Sequence, residues 1–268
     1  NPNRTLTDPY EGQQLGEIWG YVVDGYFKTD EEARNYKVDQ SFVNQMINAS
    51  ALDNGLHAGD LKFVDLDGNN KIEQTTSAND RKDMKVIGNS LPRYNYNFGI
   101  SADWYGIDFS VLFQGIGKQN WYPGAETSMF WGPYSRPYAS FIPSDFMSQV
   151  WSEENTNAYF PRPRGYVALG SNRELAVVNT KYLQNLAYCR LKNLSIGYTL
   201  PDKWLSKIGF EKIRVYFSGE NLLTFTKLHS DYIDPEQASA SNSWKTSKSD
   251  ANIYPWAKTY SFGVDITF

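Results

Sequence analysis

Asp65-Leu66-Asp67-Gly68-Asn69-Asn70-Lys71-Ile72-Glu73 is the stretch whose residue types and spacing come nearest to coordination chemistry. Asp65, Asp67 and Asn69 set carboxylate or amide oxygens at every second residue, and Glu73 adds a carboxylate four residues on. A turn-permissive Asn70 stands sixth and an apolar Ile72 eighth, the layout of a loop that wraps hard oxygens around Ca²⁺. The pattern departs at the twelfth place, where Thr76 replaces a bidentate Glu, so that Glu73, Asp80 or Asp83 has to supply the missing oxygen. The competing reading is a polar turn whose Asp and Asn side chains cap their own backbone. No cofactor is otherwise required.

Catalytic constellations are absent from the sequence. His57 and His229 cannot form a three-His zinc site, and neither has an acidic partner at helical spacing. Asp30-Glu31-Glu32 and Glu153-Glu154 fall where helices are expected to begin, and negative charge is favourable there without any chemistry. The chain reads as a non-enzyme. A second group, Trp121, Tyr122, Phe130, Trp131, Tyr134 and Tyr138, could stack on sugars or meet a partner protein; membrane girdles and self-packing of a long loop use the same residues.

The elements that would position these residues are strands. From Tyr94 to Trp104, apolar and aromatic residues alternate with Asn95, Asn97, Gly99, Ser101 and Asp103, and after a tight turn at Tyr105-Gly106 the alternation resumes through Ile107, Phe109, Val111 and Phe113. Strands are expected near 17–27, 92–104, 107–116, 182–200, 212–225 and 257–268, with a short capped helix from Thr29 to about Tyr36 and another near 144–153. The last alternates Tyr260, Phe262, Val264, Ile266 and Phe268 against Ser261, Gly263, Asp265 and Thr267. Long polar stretches near 28–91, 117–181 and 226–256 alternate with short connections. That sorting is the habit of a transmembrane barrel, short turns on the periplasmic side and long loops outside.

Composition agrees. The 268 residues carry a net charge of −4, with 16% aromatics and a mean hydropathy of −0.55. Nucleic acid and anionic membrane surfaces are disfavoured as partners by that charge. No apolar run is long enough for a spanning helix. The single cysteine, Cys189, rules out an internal disulfide framework. The absence of an initiator Met at Asn1 and of a leader reads as the tail of a longer product. A soluble secreted β-sandwich that binds glycan is the rival fold, since it shares this composition.

With those stretches in view, the chain resembles the C-terminal part of SusC-like (RagA-like) TonB-dependent outer-membrane receptors. The resemblance rests on 16–27 (GEIWGYVVDGYF), 59–69 (GDLKFVDLDGN), 87–92 (IGNSLP) with its hairpin to Gly117, 190–198 (RLKNLSIGY), 218–222 (SGENL) and 260–268 (YSFGVDITF), in the family's order. It implies an all-β, antiparallel transmembrane β-barrel segment: the last six strands of a barrel of about 22, without the plug domain. It further implies uptake of a glycan or oligosaccharide, or of a peptide in RagA-type members, with a SusD-like surface lipoprotein over the loops. Energy would come from TonB-ExbB-ExbD through parts outside this chain, the remaining strands, plug and outer-membrane lipid completing the assembly. Tyr260, Phe262 and the terminal Phe268 resemble the assembly signal of outer-membrane barrels.

Overall fold

The computed structural model describes residues 1–44, 55–125, 127–135, 142–163, 168–170, 173–207, 209–241, 248–249 and 255–268. Among these residues twelve strands follow in chain order. They are β1 (Glu17–Tyr21), β2 (Val23–Tyr26), β3 (Leu61–Phe63), β4 (Met84–Asn89), β5 (Arg93–Trp104), β6 (Ile107–Lys118), β7 (Asn120–Pro123), β8 (Gln184–Asn185), β9 (Tyr188–Thr199), β10 (Lys212–Thr226), β11 (Lys248–Ser249) and β12 (Thr259–Thr267). The helices are short: α1 (Asp30–Arg34), α2 (Ser128–Trp131), α3 (Asp202–Leu205) and α4 (Pro235–Ser241). None of the described helices is long and apolar enough to cross a membrane.

The five long strands form one antiparallel sheet in the order β12-β10-β9-β6-β5. Its pairings place side chains in rows. Ala102, Phe109, Ile196, Phe217 and Phe262 lie side by side across all five strands, and on the opposite face the adjacent row is Ser101, Ser110, Ser195, Ser218 and Ser261. The apolar face has no cover: Phe262 is 83% exposed, Ile100 64% and Phe98 51%. A β-sandwich would bury that face against a second sheet, so the rival fold is excluded. The arc is built to meet hydrocarbon.

Side chains of the polar face interact across strands. The Arg214 guanidinium on β10 donates to both carboxylate oxygens of Asp108 on β6, at 2.6 and 2.8 Å, and to Asp265 on β12 at 3.2 Å. To reach Asp108 it passes over β9 at Gly197, where a Cβ would sit 2.3 Å from Asp108 Oδ2. Gly263 likewise leaves room for the Tyr216 ring. Between β5 and β6 the turn is Tyr105-Gly106, with φ of +47° and +83°, the two left-handed residues of a type I′ hairpin.

The expected strand near 17–27 does not join this sheet. β1 pairs with β4 and β2 with β3 in separate two-stranded sheets, so the arc has five strands where six were expected. A register shift at Ile18/Trp19 and a left-handed Gly25 (φ +87°) break the segment, and Tyr21 exchanges backbone hydrogen bonds with Val178 and Thr180. The strand expected from 182 begins as the two-residue β8, the long strand starting at Tyr188. α1 stops at Arg34; Thr29 caps it by accepting from the Glu32 N–H. Near 144–153 there is one 3₁₀ turn, Phe146–Gln149.

The buried core lies in the long connections and not against the sheet. Trp121, Tyr122, Phe130, Trp131, Phe160 and Tyr182 pack with Tyr26 of β2, with Leu61 and Phe63 from the first polar stretch, and with Leu228 and Ile233 from the last. The three long segments thus fold together at one end of the arc.

Candidate functional site

The 65–73 loop folds as a self-capped turn. Asp65 accepts the N–H groups of Gly68 and Asn70, each at 2.7 Å, and Asn70 takes the left-handed conformation at φ +62°. Although some desolvation opposes it, these amides hold the Asp65 carboxyl below its ordinary range. Asn69 donates to Asp67 and Glu73, while Glu73 is held by Lys82 at 3.1 Å. Asp83 sits fully buried beneath, accepting from Leu66 N–H at 2.8 Å and Glu73 N–H at 2.7 Å; its pKa is raised by burial.

Metal-competent geometry is offered by Asp65, Asp67 and Asp83, whose nearest oxygens lie within 4.8 Å of one another. The expected set of Asp65, Asp67, Asn69 and Glu73 therefore comes only partly together. Glu73 is drawn aside by Lys82, and Asp83 enters from ten residues further on, a partner that spacing within the loop could only nominate.

The expected ligand aromatics face inward. Trp121, Tyr122 and Trp131 are fully buried and Tyr134 nearly so, with hydroxyl or indole donors satisfied by backbone: Tyr122 OH to Leu175 O at 2.8 Å, Trp131 Nε1 to Gly124 O at 2.9 Å, Tyr134 OH to Pro161 O at 2.5 Å. Phe130 packs edge-on to Trp131 at 4.8 Å between ring centroids. Of the readings open to them, self-packing of a long loop is the one these side chains adopt. Tyr138 lies outside the described residues.

A cluster that the sequence reading missed ties the last long loop to the wall. Arg190, on the polar face of β9 and 1% exposed, donates to Asp234 at 2.5 Å, to Glu236 of α4 at 2.7 Å and to Thr224 of β10 at 3.0 Å. Lys192 holds the same Glu236 carboxylate at 3.2 Å. The signal was an Arg and a Lys on alternate positions of a strand, with acidic residues far along the chain.

On the edge strand β12, Tyr260 and Phe262 stand exposed on the apolar face, and Phe268, exposed past its end, meets the Phe210 ring at 5.2 Å between centroids. Both expected histidines are loop residues: His57 lies 3.7 Å from Asp30, and the His229 ring stacks on Tyr159.

No protein-family model matches the chain. Among curated proteins it is similar to TonB-dependent receptor P3 of Formosa agariphila, 29% identical over 264 residues, covering 96% of this chain and 22% of the relative. TonB-dependent receptor P39 of the same organism is 26% identical over 283 residues, covering 96% of this chain and 25% of that protein. Among solved structures, the RagAB peptide transporter superimposes with a TM-score of 0.54 at 18% identity, over 97% of this chain and 24% of that one. The RagAB peptide importer in its open-open state matches 98% of this chain and 25% of that one, at 18% identity and a TM-score of 0.53. The chain spans about a quarter of the length of these proteins. Such relatives are receptors and not enzymes, in agreement with the reading against catalysis. In sequence and fold the chain is similar to the C-terminal barrel part of TonB-dependent outer-membrane receptors of the SusC/RagA kind, and its five-strand arc is a segment of an outer-membrane β-barrel.

Proposed function

We propose that this chain is the C-terminal wall and mouth of a TonB-dependent importer that takes a bulky nutrient, a glycan or oligosaccharide, across the outer membrane. The observation that carries the reading is the arc itself. One face is apolar and uncovered, the other polar and cross-linked, and the long connections gather at one end, which suits lipid outside, cargo inside and a mouth above. A SusD-like surface lipoprotein covers the mouth, and TonB-ExbB-ExbD act through parts of the receptor outside this chain. Tyr260, Phe262 and Phe268 serve as the assembly signal.

The test is deletion of the gene in the source organism, growth on a panel of glycans and on peptides as nutrient, and co-purification from detergent-solubilised outer membrane. Loss of growth on one glycan class, with a surface lipoprotein in the complex, is expected. Loss on peptides alone moves the substrate to the RagA type, and unchanged growth on every nutrient contradicts import.

For the 65–83 loop we propose weak Ca²⁺ binding through Asp65, Asp67 and Asp83, supported by their mutual distance and by the preference of calcium for hard oxygens. In the full receptor, Asp83→Ala is expected to destabilise this loop by about 2–4 kcal/mol, because two backbone N–H groups lose a charged acceptor. The measurement is hydrogen exchange of residues 64–75 with 5 mM Ca²⁺ or with EDTA (roughly millimolar affinity being typical of extracellular modules). Calcium-dependent protection in the parent that Asp83→Asn removes supports the ion. Equal exchange in both buffers leaves the self-capped turn alone.

A further inference from the structure

Several buried or partly buried cations of the long connections have a carboxylate: Arg162 meets Asp60 at 2.5 Å, Lys62 meets Glu32 at 3.1 Å, Arg190 meets Asp234 and Glu236, and Lys192 meets Glu236. Lys181 is different. Its half-buried ammonium lies 4.8 Å from the centroid of the Tyr26 ring and 5.6 Å from that of Tyr159, and it makes a long hydrogen bond, 3.4 Å, to the Ala158 carbonyl. No acidic side chain among the described residues pairs with it. Burial pushes its pKa below the ordinary lysine value. A partly desolvated cation held by two π faces, with no counter-ion among the described residues, is well placed to receive an anion.

The surroundings are rigid and partly open. Tyr26 OH donates to Tyr159 O at 2.5 Å and shares a 2.8 Å hydrogen bond with Tyr182 OH, and Gln184 donates to the Tyr159 hydroxyl at 2.8 Å. His229 stacks on Tyr159 with centroids 3.4 Å apart and planes 15° apart, its Nε2 being 2.8 Å from Gln149 Oε1. One face of that imidazole is covered and the residue remains exposed. Desolvation lowers the His229 pKa, the Lys181 charge adds to this, and Asp231 opposes it. The other titratable groups facing the pair are the phenols of Tyr26, Tyr159 and Tyr182, all kept neutral by burial.

We propose that Lys181, together with His229, which stacks on the same Tyr159 ring that the lysine approaches, is an anion subsite of the mouth that receives a carboxylate of the imported ligand, a uronic-acid sugar or an acidic peptide. The subsite rests on the importer reading for its cargo, though not for its chemistry. A bound carboxylate neutralises Lys181 and removes the repulsion that disfavours protonated His229, so binding takes up a proton and strengthens from pH 8 to pH 6.

The test uses the full receptor in detergent and trace acetylation of its lysines read by mass spectrometry. Trigalacturonate or triglutamate is expected to slow labelling of Lys181 at least fivefold, maltotriose and triserine to leave it unchanged, and the acidic probe to protect better at pH 6 than at pH 8. For Lys181→Met and Lys181→Arg, retention of the probe is measured by equilibrium dialysis: Met is expected to lose the preference for acidic over neutral probes and Arg to restore it, with hydrogen exchange of 156–186 unchanged in both. Protection of Lys181 by neither acidic probe, by acidic and neutral probes alike, or by inorganic sulfate alone would overturn the proposal. Protection in a receptor whose deletion leaves growth unchanged retains the subsite while removing the importer.

Discussion

Replacing Arg190 by Met is expected to release the last long loop from the barrel wall. The guanidinium is buried, and its fork engages Asp234, Glu236 and Thr224 at once. Met keeps much of the length and apolar contact but strands the Asp234 carboxylate, 7% exposed, with no cation of its own. Breaking a buried pair from one side costs about 3–5 kcal/mol, most of it the penalty of the abandoned charge. Hydrogen exchange of residues 228–241 in the full receptor should accelerate by about two orders of magnitude or more, since 1.4 kcal/mol is roughly tenfold. Arg190→Lys keeps the charge and loses the fork, so it recovers part of the protection. Unchanged exchange in Arg190→Met would mean that the aromatic packing around His229 and Leu228 holds this loop without the ions.

The second large effect concerns the apolar face. Ile196 is central in the row Ala102, Phe109, Ile196, Phe217 and Phe262, with an apolar partner on either side. Ile196→Arg puts a guanidinium into hydrocarbon, at about 2–4 kcal/mol near the midplane of a barrel. Ser195→Asn, one residue earlier and on the polar face, is expected to cost less than about 1 kcal/mol. Urea titration of the full barrel refolded into lipid vesicles, followed by tryptophan fluorescence, separates the two. Equal costs at the two positions would show that the faces do not differ in environment.

How far the sequence carried depends on which physics wrote each segment. The sheet was legible because lipid on one side and a polar interior on the other impose opposite demands on successive residues, and stretches such as 94–104 and 260–268 satisfy both without exception. The segment 17–27 misled because Ile18, Tyr21 and Tyr26 are all buried, Tyr21 and Tyr26 in the loop core and not against lipid. Burial in a globular core and exposure to lipid select the same residue types, and only the broken register distinguishes them. The aromatic loop residues misled for a related reason. Trp121 and Trp131 look like a carbohydrate platform in one dimension, while the fold buries both and gives the Trp131 indole donor to the Gly124 carbonyl. In the Asp65 loop the turn was legible and the ligand set was not, since Lys82 captures Glu73 and Asp83 arrives from below. Arg190 and Lys181 were invisible because each is defined by long-range partners, acidic for Arg190 and aromatic for Lys181.

Spin labels placed singly along β10, from Arg214 to Gly219 in the full receptor in lipid vesicles, test the lipid-facing wall most directly. Cys189 and any other native thiol would first be replaced. Collision with oxygen, which concentrates in hydrocarbon, should be high at Val215 and Phe217 and low at Arg214, Tyr216 and Ser218, with a water-soluble nickel chelate excluded from Val215 and Phe217. A profile without that period of two, or nickel access at Val215 and Phe217 equal to that at Ser218, would contradict a barrel wall facing lipid.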